Sequence, residues 1–73
     1  MYELNFYSKD TEELVMDVEL KGLSGDDVLR IFGFALEGNC ADVSPEQLSE
    51  IEACVGYTFQ KVENDISICE VID

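Results

Sequence analysis

Two segments near the start of the chain alternate apolar and polar side chains, and only a few polar residues separate them. In YELNFYS (2–8), Tyr2, Leu4 and Phe6 fall on one side and Glu3, Asn5 and Tyr7 on the other. In ELVMDVEL (13–20), Leu14, Met16, Val18 and Leu20 alternate with Glu13, Val15, Asp17 and Glu19. A period of two marks a strand buried on one face. Lys9, Asp10, Thr11 and Glu12 supply a polar turn, so the two segments are expected to pair as a hairpin. One hairpin cannot bury its apolar face alone, and it requires a second layer.

The middle of the chain supplies that layer. Ser24 with Asp27 reads as a helix N-terminal capping pair, and Val28, Leu29 and Phe32 follow at helical spacing. This predicts a first helix over about Gly25 to Phe32, ending near Gly33. Ser44-Pro45-Glu46-Gln47 is a stronger signal: Ser44 caps, Pro45 suits the first helical position, and Gln47 completes a capping box. Leu48, Ile51 and Val55 form the apolar stripe of the second helix, with Gly56 as its terminator. FALEGNCADV (34–43) between the helices is expected to be a loop. YTFQKV (57–62) and the β-branched ISICEVI (66–72) predict a third and a fourth strand around a turn at Glu63, Asn64 and Asp65. The expected order is ββααββ. The expected fold is a single α+β domain over residues 1–73, a two-layer sandwich in which two helices cover one face of a four-stranded antiparallel sheet. Tyr2, Phe6, Phe32, Phe34 and Phe59 are the expected aromatic core.

Seventy-three residues make a small domain, which buries only about 60% of the surface its unfolded chain exposes. The outlier is charge. Seventeen Asp and Glu oppose four Lys and Arg, a net charge of −13, where solubility needs a magnitude of only about 2–8. Such an excess repels itself and disfavours direct binding to nucleic acid or anionic membranes. A basic protein is the natural partner, and acidic solubility is the competing account. No apolar run approaches the roughly 20 residues of a membrane span, and MYELNFYSKD lacks the pattern of a signal peptide. A cytoplasmic protein with reduced cysteines, Cys54 and Cys69 partly buried, is therefore expected.

The side chains that carry most chemistry are missing. Histidine is absent, which removes the commonest general base and metal ligand. Cys40, Cys54 and Cys69 are spaced 14 and 15 apart, unlike a zinc site. No glycine-rich phosphate loop is present, and the Asn39/Asp42 and 63–65 stretches read as turns instead of calcium loops. No enzymatic activity, cofactor or metal is expected.

The acidic residues divide into two groups. Asp26, Asp27 and Glu46 sit in first helical turns, where negative charge is favourable, and Asp10 and Asp65 read as turn residues. Others are locally costly. Glu46 and Glu50 stand four apart on the second helix, which carries no Lys or Arg of its own. Glu3, Glu13, Asp17 and Glu19 are expected to crowd the outer face of the first hairpin beside Tyr7 and Asn5. Glu3, Tyr7, Glu13, Asp17, Glu19, Glu46 and Glu50 are thus the candidate docking residues, with Tyr7 as an aromatic anchor.

The stretches FYSKDTEELVMDVELKGLS, DDVLRIFG and VSPEQLSEIEACVGYTF resemble small acidic immunity proteins encoded beside toxins of bacterial competition systems, including contact-dependent inhibition. The resemblance covers roughly residues 4–60 and rests on turns, caps and core positions. FALEGNCADV departs from the proline- and aspartate-rich loop of that group, so any specificity carried there does not transfer. The resemblance implies an antidote that binds and neutralises a cognate toxin, a basic nuclease domain being the natural target, as a monomer or weak dimer. The alternatives are a nucleic-acid mimic that inhibits a DNA-binding, restriction or CRISPR enzyme, and a small module that dimerises through a sheet edge.

Overall fold

The computed structural model describes residues 1–56, 58–59 and 64–72. Its elements are β1 (Tyr2–Ser8), β2 (Leu14–Leu20), α1 (Gly25–Phe32), β3 (Cys40–Asp42), α2 (Pro45–Val55) and β4 (Asn64–Glu70). The sheet is antiparallel throughout, in the order β2-β1-β4-β3, with both helices on one side. An α+β architecture with four antiparallel strands and two helices is therefore present.

The element order differs from the expected ββααββ: it is β β α β α β. The strand missed in the sequence is β3, which lies inside FALEGNCADV. Three residues are too few to display an alternation, and Cys40, Ala41 and Asp42 become a strand only because Cys69, Ile68 and Ser67 lie opposite them. Most of the expected strand at 57–62 falls outside the described residues, and Thr58 and Phe59 lie in neither helix nor strand. Asn64 and Asp65, expected in a turn, open β4, which ends at Glu70 instead of Ile72. Glu63 lies outside the described residues.

Both helices begin and end where their signals stand. Ser24 Oγ accepts from the Asp27 N–H while Asp27 accepts from the Ser24 N–H. Ser44 and Gln47 repeat the arrangement on α2. Gly33 and Gly56 take the left-handed conformation that closes each helix, at φ 81° and 83°.

Tyr2, Leu4 and Phe6 of β1, Leu20 of β2 and Ile68 of β4 meet Val28 and Ile31 of α1 and Leu48 and Ile51 of α2 in one core. Leu23, Leu36 and Phe59 plug it from the connections, and the Phe59 ring lies 6.1 Å from that of Phe6. Each fully buried side chain of this size contributes about 1.5–3 kcal/mol. Phe34 does not join them: it is 49% exposed beside Phe32, because Gly33 ends the helix and turns the chain outward.

The expectation of three reduced cysteines is corrected. Cys40 and Cys69 form a disulfide, and Cys54 is free. The two face each other across β3 and β4 with their Cα atoms 4.1 Å apart, as in the closer, non-hydrogen-bonded pairs of an antiparallel ladder. Their separation of 29 residues carries no hint of this, since register alone brings them together.

An acidic sheet face as a candidate docking site

Side chains alternate across a sheet, so covering one side with helices leaves a second set facing away. The register arranges that second set in rows. Glu19, Glu3, Cys69 and Cys40 form one row across β2, β1, β4 and β3. Asp17, Asn5, Ser67 and Asp42 form the next, and Leu14, Tyr7 and Asp65 a third. Among the described residues no helix or strand covers this face, and no Lys or Arg holds a strand position on it. Lys9 lies in the β1–β2 turn, Lys21 beyond β2, and Arg30 on α1.

Five carboxylates thus share one open surface: Glu3, Asp17, Glu19, Asp42 and Asp65. Unit charges about 5 Å apart repel by roughly 1 kcal/mol even at the dielectric constant of water. The surface is also built firmly. Asn5 is 6% exposed although it belongs to this side, and its Nδ2 donates to Cys69 Sγ at 3.3 Å. Tyr7 is half-buried at the margin, an aromatic body with access to solvent.

Of the seven candidate residues, Glu3, Tyr7, Asp17 and Glu19 are brought together here. Glu13 lies just before β2 at the hairpin end, where its carbonyl accepts from the Ser8 N–H at 2.9 Å. Glu46 and Glu50 are elsewhere, on α2 in the helical layer. Glu50 is also less isolated than the helix sequence implies, since Arg30 of α1 stands 3.9 Å from it and 3.5 Å from Asp27. Sequence reasoning missed Asp42 and Asp65. Asp65, Ser67 and Cys69 do alternate with Ile66, Ile68 and Glu70, and starting the strand two residues earlier would have found Asp65. Asp42 offered no signal, because its three-residue strand is defined by its partner.

Several other polar groups serve the fold. Glu52 is buried, and its Oε2 accepts from the Phe59 N–H at 2.8 Å, tying the chain after α2 to that helix. Glu70 Oε1 accepts from the Gly38 N–H at 2.6 Å. Burial first, and the Glu70 carboxylate second, raise the Tyr2 pKa above the usual phenol value. Hydrogen bonding from Ser24, chiefly its backbone, lowers the Asp27 pKa. Arg30 Nη2 donates to Cys54 Sγ at 3.2 Å, and this contact is the main reason the Arg30 pKa is raised. Among the described residues no three His, Cys, Asp or Glu side chains are grouped to hold a metal ion, and no helix is long and apolar enough to cross a membrane.

No curated protein and no solved structure matches the chain. Residues 1–69 match a family described as a domain of unknown function, and the span takes in β1, the disulfide and nearly all of β4. The chain belongs to the DUF7683 family.

Proposed function

We propose that the protein is an immunity protein that binds and neutralises a cognate basic toxin domain through the open acidic face of its sheet. The supporting observation is the collection of Glu3, Asp17, Glu19, Asp42 and Asp65 on one face that, among the described residues, no helix or strand covers and no Lys or Arg occupies at a strand position. Concentrating like charge there costs the free protein stability, and a cationic partner recovers that cost on binding. Opposed charge also speeds encounter and favours a partner of the right sign. Tyr7 supplies an anchor that buries apolar area while its hydroxyl stays near water. Binding of this kind needs no catalysis and no cofactor.

In this reading the protein acts in the cytoplasm, where the Cys40–Cys69 bond is exposed to reduction. The helix-covered core contains neither cysteine, so the acidic face persists in the reduced protein.

The test is capture of partners from a lysate of the source organism on the tagged protein, at low and high salt. Each captured domain is then expressed alone and together with the protein. The reading predicts one dominant basic domain that arrests growth alone and is harmless in company. Several unrelated DNA-binding proteins, all lost at high salt, would instead indicate a nucleic-acid mimic.

A further inference from the structure

The outer edge of β2 carries an inference about how a basic partner is held. Among the described residues β2 pairs only with β1, so one side of its backbone faces outward. Main-chain hydrogen bonds alternate sides along an antiparallel strand, and two of them fix the phase of β1. The Ser8 N–H donates to the Glu13 carbonyl at 2.9 Å, on the β2 side. The Val71 N–H donates to the Met1 carbonyl at 2.7 Å, on the β4 side. Odd-numbered residues of β1 therefore bond toward β4 and even-numbered ones toward β2. Asp17 stands opposite Asn5, an odd position. Its own N–H and C=O accordingly point away from β1, out of the sheet edge.

This edge is unlike its counterpart. β3 is three residues long and joined to β4 by the Cys40–Cys69 bond, whereas β2 runs for seven residues. Proteins commonly protect a long edge with Lys, Pro or an irregularity. β2 has no Lys or Pro, and its one irregularity lies at its beginning, opposite Phe6 and Tyr7. There Leu14, Val15 and Met16 are 52%, 61% and 40% exposed, a continuous apolar segment on an unpaired edge. Among the described residues, acidic side chains flank it within the strand: Glu13 before it and Asp17 and Glu19 after.

Acidic guards discriminate by sign. A second copy of this chain would set Asp17 and Glu19 against the same carboxylates, and each chain carries a net charge of −13. A cationic strand meets the opposite situation. Beside Asp17 and Glu19, on the open face, the added strand would place Lys or Arg. Beside Met16 and Val18, on the helix side, it would place apolar residues. Alternation of the two is what one strand delivers.

We propose that the free edge of β2 accepts a strand from the basic partner, one alternating Lys or Arg with apolar residues, by main-chain hydrogen bonds that include the N–H and C=O of Asp17. This rests on the basic-partner reading above and adds the mode of docking. Backbone pairing supplies affinity, and the alternating side chains supply choice. The added strand would extend the open face without a break.

The probe is a capped eight-residue peptide of alternating lysine and valine, added at low salt to the isotope-labelled protein. Backbone amide shifts and hydrogen exchange are followed by NMR. Strand addition predicts shifts concentrated at residues 14–20 and an Asp17 amide whose exchange slows roughly tenfold or more. Asp17→Asn keeps the N–H and should weaken binding by no more than a few-fold, as expected for one exposed charge. Asp17→Pro removes an outward N–H without removing a β1–β2 bond, and should weaken binding roughly tenfold or more while the β1 amides keep their shifts. Peptide binding that moves Asp42, Asp65 and Ser67 and leaves the Asp17 amide unprotected would overturn strand addition while leaving an acidic docking face intact. So would the absence of peptide binding, since the capture experiment tests the partner reading separately. Protection of Asp17 that grows with protein concentration in the absence of peptide would show a second copy at the edge and would also overturn the proposal.

Discussion

Glu3 of β1 and Glu19 of β2 stand directly opposite each other on the face of the sheet that neither helix covers. Asp17 and Asp65 lie in the two neighbouring rows of the same face. A cross-strand pair of like charge is destabilising, and in most hairpins the position opposite a glutamate can be filled by lysine or threonine at no cost to the fold. The pairing is therefore not something the sheet requires. A cationic partner would give it a purpose.

Neutralising one member should relieve the free protein. Glu3→Gln is expected to raise the unfolding free energy by about 0.2–1 kcal/mol at low salt, with the gain shrinking as salt screens the wild-type repulsion. Urea unfolding of both proteins across a salt series checks this. A loss of stability in Glu3→Gln would mean that the carboxylate has a supporting role.

Tyr2 makes stability sensitive to alkali. Its pKa is raised in the fold by burial and by Glu70, so the unfolded chain loses the phenolic proton first, near pH 10. The contribution is full below that value and is lost as pH rises through the folded pKa. Unfolding midpoints should fall above about pH 10, and Tyr2→Phe should flatten that part of the profile. An unchanged slope in Tyr2→Phe would assign the alkaline loss to other groups.

The disulfide closes a loop spanning 29 positions of sequence, and in the chain-entropy account such a loop is worth about 3–4 kcal/mol. Reduction should lower the unfolding free energy by about that amount and leave a folded protein, because neither cysteine of the bond belongs to the buried core. Chemical denaturation with and without reductant measures it, and Cys54→Ser should keep the full difference. A reduced chain that loses its far-UV signature in the absence of denaturant would contradict the account.

The parts of this fold that could be read in the sequence are those decided locally. The alternation in 2–8 and 13–20 gave the hairpin and its two faces, and with them Glu3, Tyr7, Asp17 and Glu19 as neighbours. The Ser24/Asp27 and Ser44/Gln47 pairs set the helix starts, while Gly33 and Gly56 set the ends. What could not be read depends on partners distant in sequence. Cys40–Asp42 is a strand only against β4, and the cysteine pair follows from the same register. The two glutamates of α2 looked equivalent to those of the hairpin because charge is visible in a sequence while layer is not. Asp65 reads as a turn residue because polar residues cluster there, although the ladder to β1 already extends to Asn64.

The proposed docking surface is one face of one sheet, and paired charge reversals separate it from the helical layer. Glu3→Lys with Asp65→Lys alters the open face, and Glu46→Lys with Glu50→Lys alters the helical layer by the same number of charges. Binding of each folded variant to the basic partner captured by the wild-type protein is measured by titration calorimetry at fixed salt. The sheet-face pair should weaken binding by about a hundredfold, as truncating or opposing central charges does, and the helix pair should change it by only a few-fold. Strong loss with the helix pair and wild-type affinity with the sheet-face pair would contradict docking at the sheet face.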